Sequence, residues 1–180
     1  MRAVNIADFD YELPSQLIAQ FPPKNRGESR LLCLDAVAGQ FADSRFADFA
    51  DHIFAGDVLV LNDTRVLKAR LVGTRNSGGK IEALVERILS PTRILALLRT
   101  SHGAKVGQTM RFGESTAARV TERKDDLFVL EFEEDVTEVL QKAGKVPLPP
   151  YINRDANTED ESRYQTIYAR TPGAVAAPTA

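Results

Sequence analysis

Cysteine, histidine and tryptophan are scarce in this sequence, and their scarcity excludes several kinds of site. The 180 residues contain one cysteine, Cys33, two histidines and no tryptophan. A single cysteine cannot form an internal disulfide or a cysteine-rich metal site. The histidines, His52 and His102, show no metal-ligand spacing to each other or to Cys33, so we expect no bound metal.

Long apolar runs are also missing. No segment approaches the roughly 20 apolar residues that a transmembrane helix requires, and the N-terminus, MRAVNIADFDYELP, contains no signal-peptide apolar region. The hydrophobic content of 43% and the charged content of 27% are ordinary for a soluble globular protein. We therefore expect a cytoplasmic protein that does not associate with membranes.

Charge is unevenly distributed along the chain. The net charge is −2, but residues 66–112 contain nine lysines and arginines against two acids. This basic middle, which includes Arg75 and Arg93, could attract nucleic-acid phosphates. The alternative is that these side chains only keep the outer face of a sheet soluble.

The same middle part of the chain has the pattern of a small β-domain. Short strand-like runs are separated by turn signals, and no long helical pattern interrupts them. This arrangement predicts an antiparallel β-barrel or sandwich. The six runs are residues 66–73, 80–89, 93–99, 109–112, 117–123 and 127–132, and a helix is expected over 135–143.

The flanking segments predict an α/β domain. Residues 31–34 read as a buried strand, with a hairpin partner over 40–45, and residues 58–61 are four consecutive apolar side chains typical of a central strand. We therefore predict an α/β domain made of residues 1–65 and 147–180. The β-barrel and its trailing helix, residues 66–146, would be inserted into it.

Prolines, aromatic residues and arginines are concentrated after residue 147. Prolines fix an extended backbone, and aromatic faces and guanidinium groups are suited to stacking on bases and gripping phosphate. The other interpretation is a proline-stiffened loop with a solvated charge cluster. The candidate ligand residues are Tyr151, Arg154, Arg163, Tyr164, Gln165 and Thr166.

Several motifs together resemble one known family. PLPPYI, Arg154, ESRYQT, IYA and PGAVAAPTA follow one another in the last part of the chain, and NDTRV and SRLL occur earlier. In these motifs the chain is similar to the S-adenosylmethionine:tRNA ribosyltransferase-isomerase family of queuosine biosynthesis. Members of that family continue beyond APTA, so we expect this chain to be an N-terminal portion whose α/β domain is incomplete.

The resemblance implies a transferase reaction. The family moves the ribosyl part of S-adenosylmethionine onto 7-aminomethyl-7-deazaguanine in tRNA, releases adenine and methionine, and forms epoxyqueuosine. S-adenosylmethionine is then a consumed substrate, and no metal or redox cofactor is required. The expected partners are tRNA and S-adenosylmethionine, and we expect a monomer.

The resemblance also suggests site residues. We assign Asp63 and Arg163 to catalysis. Substrate binding is assigned to Asn62, Thr64, Arg65, Tyr151, Arg154, Tyr164, Gln165 and Thr166. RNA binding is assigned to Arg26 and Arg30 from the motifs, and to Arg75 and Arg93 from the positive charge of residues 66–112.

Each assignment has a plainer alternative. Asn62, Asp63 and Thr64 all suit a capped turn between domains, and Arg26 and Arg30 could form salt bridges instead of binding RNA. Because polar groups after a central α/β strand often bind ligands, we expect residues 62–65 and 151–166 to converge on one pocket. At the level of function, the alternatives are a non-catalytic RNA-binding β-barrel module and an inactive fragment of the enzyme.

Overall fold

The computed structural model describes residues 4–101 and 103–176. His102 and the last four residues of the PGAVAAPTA motif lie outside the described residues. The contacts between residues divide the chain into two compact units. One consists of Met1–Val60 with Tyr151–Arg154, and the other of Leu61–Pro150 with Asp155–Ala180. The division into residues 1–65, 66–146 and 147–180 stays a prediction.

The second unit contains a closed antiparallel β-barrel of six strands, which confirms the predicted barrel. Its hydrogen-bonded order is β4, β5, β6, β9, β8 and β7, and β7 pairs back with β4 to close the barrel. The strands are β4 (Arg70–Arg75), β5 (Lys80–Ser90), β6 (Arg93–Thr100), β7 (Thr109–Phe112), β8 (Thr116–Lys124) and β9 (Leu127–Phe132).

Alternating side chains of these strands build the core. In β5, for example, Ile81, Ala83 and Val85 are buried, with at most 2% of their surface exposed. This period of two places every second side chain inside the barrel, as expected for a half-buried strand. The largest fully buried side chains also come from the barrel and from the helix that follows it: Phe112, Leu71, Ile94, Met110, Leu130, Val120, Val129, Val136 and Val139.

The predicted helix after the barrel is confirmed as α1 (Val136–Ala143). The carboxylate of Asp135 accepts a hydrogen bond of 2.8 Å from the backbone N–H of Thr137, which caps the helix N-terminus. Val139 and Leu140 on one face of the helix are buried in the barrel core. A two-residue strand, β10 (Gly144–Lys145), follows and pairs with β4.

Two short strands flank the barrel in sequence and pair in parallel. They are β3 (Thr64–Val66) and β11 (Thr171–Ala174). A short helix, α2 (Asp160–Arg163), precedes β11. This pairing places β3, which leads into the barrel, beside β11, which follows the barrel in the sequence.

The first unit contains little regular structure. The predicted hairpin is present as β1 (Arg30–Asp35) and β2 (Gln40–Arg45), and three 3-10 helices accompany it at Ile6–Phe9, Ser15–Leu17 and Phe46–His52. None of the described residues of this unit is buried. The prediction that residues 31–34 are buried was wrong, because Leu32 is 65% exposed and Leu34 is 70% exposed.

The predicted central strand over residues 58–61 was also wrong for this chain. These residues form no strand, and Val58 is 87% exposed and Val60 75% exposed. A run of four apolar residues becomes a buried strand only when neighbouring strands pair with it and other elements cover both faces. No strand of the described residues pairs with this segment.

Among the described residues, no helix is long and apolar enough to span a membrane.

Candidate functional site

Asp63 lies where β3 meets the segment before β11. Its backbone carbonyl accepts hydrogen bonds from the N–H groups of Arg170 at 2.7 Å and Thr171 at 3.2 Å. Its carboxylate lies 3.3 Å from the Arg170 guanidinium, and the two side chains are 44% and 81% exposed. Sequence reasoning missed Arg170, although it belongs to the same arginine-rich tail. The carboxylate is therefore held near a cation while remaining open to solvent.

Asn62 and Thr64 form a capped turn ahead of β3. The Asn62 side-chain oxygen accepts a 3.0 Å hydrogen bond from the Thr64 backbone N–H and a 2.7 Å hydrogen bond from the Thr64 hydroxyl. Such an Asx turn is the structural alternative that the sequence already offered. Arg65, in contrast, is exposed.

Gln165 makes two hydrogen bonds with the backbone of Val66. Its side-chain oxygen accepts from the Val66 N–H at 2.8 Å, and its amide nitrogen donates to the Val66 carbonyl at 2.9 Å. Both functional ends of the amide are therefore used to hold β3. The assignment of Gln165 to substrate binding stays a prediction, and in this structure its amide contacts the backbone of Val66.

Other predicted residues lie on either side of Gln165. The Tyr164 hydroxyl donates to the Pro147 carbonyl at 3.3 Å, and Arg163 is the last residue of α2. The hydroxyl oxygen of Thr166 is buried, and it has no hydrogen-bond partner among the described residues. Because buried polar atoms are usually satisfied, the Thr166 hydroxyl is a good candidate for a ligand contact.

Tyr151 and Arg154 belong to the first unit, where Gln20 and Phe21 contact them. Gln20 hydrogen-bonds to the backbone of Tyr151 and Asn153 and accepts a hydrogen bond from Arg154. The Arg154 guanidinium lies over the Phe21 ring. Neither Gln20 nor Phe21 was predicted, because nothing in the residue order indicates a contact over such a sequence separation.

The predicted site residues are thus divided between the two units. Residues 62–66 and 163–171 are brought together in the second unit, and Tyr151 and Arg154 lie in the first. The convergence of all of them on one pocket stays a prediction.

Arg30, Arg75 and Arg93, which were expected to bind RNA, each have an acid or hydroxyl partner within the protein. Arg30 pairs with Asp43 at 2.8 Å, and Arg93 pairs with Glu122 at 2.5 Å. Arg75 donates to the Thr100 hydroxyl. Arg26 is exposed. The Arg93–Glu122 ion pair reduces the positive charge that the barrel presents, so the net charge of residues 66–112 overstates their attraction for phosphate.

A cavity of about 630 Å³ lies in the second unit beside α1 and β10. It is polar, and its lining includes Lys68, Lys145, Glu114 and Glu161. Lys68 and Glu161 form an ion pair of 2.7 Å across it. None of the predicted site residues is among its lining residues.

The pKa values of Asp48, Glu28 and Lys142, all solvent-exposed groups with a hydrogen-bonded partner, are displaced from their usual values. The Ser44 hydroxyl at 2.8 Å, followed by the Arg45 backbone N–H at 3.2 Å, lowers the pKa of the Asp48 carboxyl. The side chain and backbone of Asn25 lower the pKa of Glu28 in the same way. Near the cavity, hydrogen bonds to Glu134 and then Glu138 raise the pKa of Lys142.

A family model described as "Queuosine biosynthesis protein" matches residues 6–180. The chain belongs to the queuosine biosynthesis protein family. The family resemblance seen in the NDTRV and PLPPYI motifs is thereby confirmed.

Individual relatives within this family are similar over nearly the whole chain. The S-adenosylmethionine:tRNA ribosyltransferase-isomerase of Nitrosospira multiformis is 49% identical over 179 residues, which cover 98% of this chain and 50% of the relative. The enzyme of the same name from Thiobacillus denitrificans is 50% identical over 177 residues, covering 98% of this chain and 51% of the relative. The chain therefore spans about half the length of the curated relatives it matches.

A solved structure is also similar. The crystal structure of S-adenosylmethionine tRNA ribosyltransferase from Thermotoga maritima shares 28% sequence identity, with a TM-score of 0.38. The match covers 81% of this chain and 52% of that chain.

Proposed function

We propose that this chain supplies part of a tRNA-modifying transferase-isomerase that consumes S-adenosylmethionine. The enzyme would transfer the ribosyl group to 7-aminomethyl-7-deazaguanine in tRNA and form epoxyqueuosine. The observation that carries the proposal is the match to relatives of that name at 49% and 50% identity over 98% of this chain. The substrates would be S-adenosylmethionine and tRNA.

The chemistry requires a base, a proton donor and a positioned amine. The carbon beside the sulfonium is acidified by the positive charge, so a carboxylate can remove its proton. Adenine leaves more easily when it is protonated, and the attacking amine must be neutral and held close. In our proposal the Asp63 carboxylate takes the proton, and the Arg163 guanidinium binds an anionic group of a substrate.

The local structure is compatible with this role for Asp63. Its backbone is fixed by the hydrogen bonds from Arg170 and Thr171, so the carboxylate is carried by an ordered turn. An ordinary aspartate is a weak base at neutral pH, so substrate would have to displace water from around it.

The test is a chimera in which this chain replaces the matched 179 residues of the Nitrosospira multiformis relative. The chimera should release adenine and methionine when S-adenosylmethionine and substrate tRNA are present. Asp63→Asn should lower turnover by about 10²–10⁴-fold, as expected for loss of a general base. Arg163→Ala should lower turnover by far more than it lowers the melting temperature.

Arg170→Gln provides the matched control because it breaks the same ion pair while leaving the Asp63 carboxylate in place. An exposed ion pair of this kind contributes about 0.2–1 kcal/mol to stability. If Arg170→Gln reduced turnover as much as Asp63→Asn, the ion pair would be structural and Asp63 would not be the base. A folded chimera with no activity would contradict the proposed function.

A further inference from the structure

Gln20 connects two segments of the first unit that are far apart in sequence. Its amide nitrogen donates to the Tyr151 carbonyl at 3.2 Å, and its side-chain oxygen accepts from the Asn153 backbone N–H at 2.6 Å. The same nitrogen also donates to the Ile18 carbonyl at 3.2 Å. One glutamine side chain therefore fixes the backbone on both sides of Ile152.

Gln20 and Phe21 both contact the side chain of Arg154. Its Nε–H donates to the Gln20 backbone carbonyl at 2.8 Å. The guanidinium carbon lies 4.3 Å from the centroid of the Phe21 ring, which is the geometry of a cation–π contact. The contact with the ring and the Nε–H hydrogen bond together restrict where the guanidinium can lie. We call Gln20, Phe21 and their contacts with residues 151–154 the clasp.

We propose that Gln20 and Phe21 are positioning residues that orient Arg154 to bind an oxyanion of a substrate. The proposal rests on the proposed function and on the assignment of Arg154 to substrate binding from the sequence. A planar guanidinium binds a carboxylate or a phosphate through paired N–H donors, and this recognition depends on the orientation of the plane. The oxyanion would come from the carboxylate of S-adenosylmethionine or from a tRNA phosphate.

Two features of the clasp are not required for a contact that only stabilises the fold. Phe21 is 62% exposed, so its ring contributes little to a hydrophobic core, yet it lies against the guanidinium of Arg154. The Gln20 side chain hydrogen-bonds to the backbone of Tyr151 and Asn153, and the Gln20 backbone carbonyl accepts from the Arg154 side chain. The contact with Phe21 and the hydrogen bonds of Gln20 both restrict the orientation of the Arg154 side chain.

The first measurement uses the 180-residue chain and follows the Nε–H signal of Arg154 by NMR. Phe21→Leu should remove the ring-current shift of that signal. Gln20→Leu should broaden or move it, because the backbone of residues 151–153 is released. Phe41→Leu and Gln40→Leu are matched controls at exposed positions of the hairpin and should leave the signal unchanged. If the chemical shift of the Arg154 Nε–H does not change in Phe21→Leu, the proposed contact between Phe21 and Arg154 is overturned.

The second measurement is a double-mutant cycle in the chimera described above. Arg154→Ala should raise the KM of one substrate, and Phe21→Leu should raise the same KM by about 10-fold because the guanidinium is misplaced. In the Arg154→Ala background, Phe21→Leu should have no further effect, since it acts only through Arg154. A higher KM for S-adenosylmethionine identifies its carboxylate as the oxyanion, and a higher KM for tRNA identifies a phosphate.

The outcomes separate this proposal from the proposed function. If the chimera is active but Arg154→Ala leaves both KM values unchanged, the role of the clasp is overturned and the proposed function stands. Additive effects of the two substitutions, or a matching loss of melting temperature, would make Phe21 merely structural and overturn the proposal. An inactive wild-type chimera would overturn the proposed function and the substrate role of the clasp with it.

Discussion

Replacing Gln165 by methionine would test whether this residue holds β3 or contacts substrate. Methionine keeps the length of the side chain and removes both hydrogen bonds to Val66. The Val66 side chain is only 6% exposed, so its backbone groups lose their partners in a sheltered position. A hydrogen bond contributes about 1 kcal/mol net, and a buried group left unsatisfied costs about 1–3 kcal/mol.

Two such groups give an expected loss of about 2–6 kcal/mol in the free energy of unfolding. Because Gln165 is half-buried, water can reach part of the site, and the lower figure is the better expectation. About 2 kcal/mol corresponds to a drop of roughly 4–8 °C in melting temperature for a chain of this size.

The assay is thermal and urea unfolding followed by circular dichroism. Gln141→Met, at an exposed position of α1, is the matched control and should change stability by less than about 0.5 kcal/mol. If Gln165→Met leaves the unfolding free energy unchanged and abolishes turnover of the chimera, the hydrogen bonds to Val66 are not stabilising. Gln165 would then be a substrate contact, as the sequence motif first suggested.

Three further predictions concern the barrel and the first unit. Gly73→Ala should destabilise the barrel by at least about 1–3 kcal/mol, measured by urea unfolding, because the added Cβ would meet the Arg111 carbonyl at 1.9 Å where β4 and β7 close the barrel. Ser44→Ala should raise the pKa of Asp48 in a carbon-13 NMR titration. Since that pKa is lowered in the folded state, Asp48 stabilises the fold above its unfolded pKa, and this stabilisation is lost as the pH falls through the folded pKa. Amide hydrogens of the hairpin β1–β2 should exchange faster than those of the barrel strands, because the first unit has no buried residue among those described.

The barrel could be predicted from sequence because its signals are local. Several strands, such as β5 and β8, alternate buried and less buried side chains over part of their length. Glycines and polar residues mark the turns, as at Gly78 with its φ of 85°. The capping aspartate of α1, Asp135, is a similarly local signal. The predicted strand boundaries agree with the observed ones to within a few residues at each end.

The parts that could not be predicted depend on partners distant in sequence. Residues 58–61 form a buried strand only if other strands pair with them and other elements cover them. The apolar run alone does not show whether such elements are present. The pairing of Asp63 with Arg170 joins residues 107 positions apart, and it follows from the parallel register of β3 and β11. The hydrogen bonds of Gln165 to Val66 depend on the same arrangement.

The proposed function is tested most directly by following the ribose carbons of S-adenosylmethionine. The chimera would be incubated with tRNA carrying 7-aminomethyl-7-deazaguanine and with S-adenosylmethionine labelled with carbon-13 either in the ribose or in the methyl group. Mass spectrometry of the digested tRNA should find the ribose label in the modified nucleoside, with unlabelled adenine and methionine released in equal amounts. Methyl label in the tRNA, or release of adenine without any transfer of the ribose label, would contradict the proposed function.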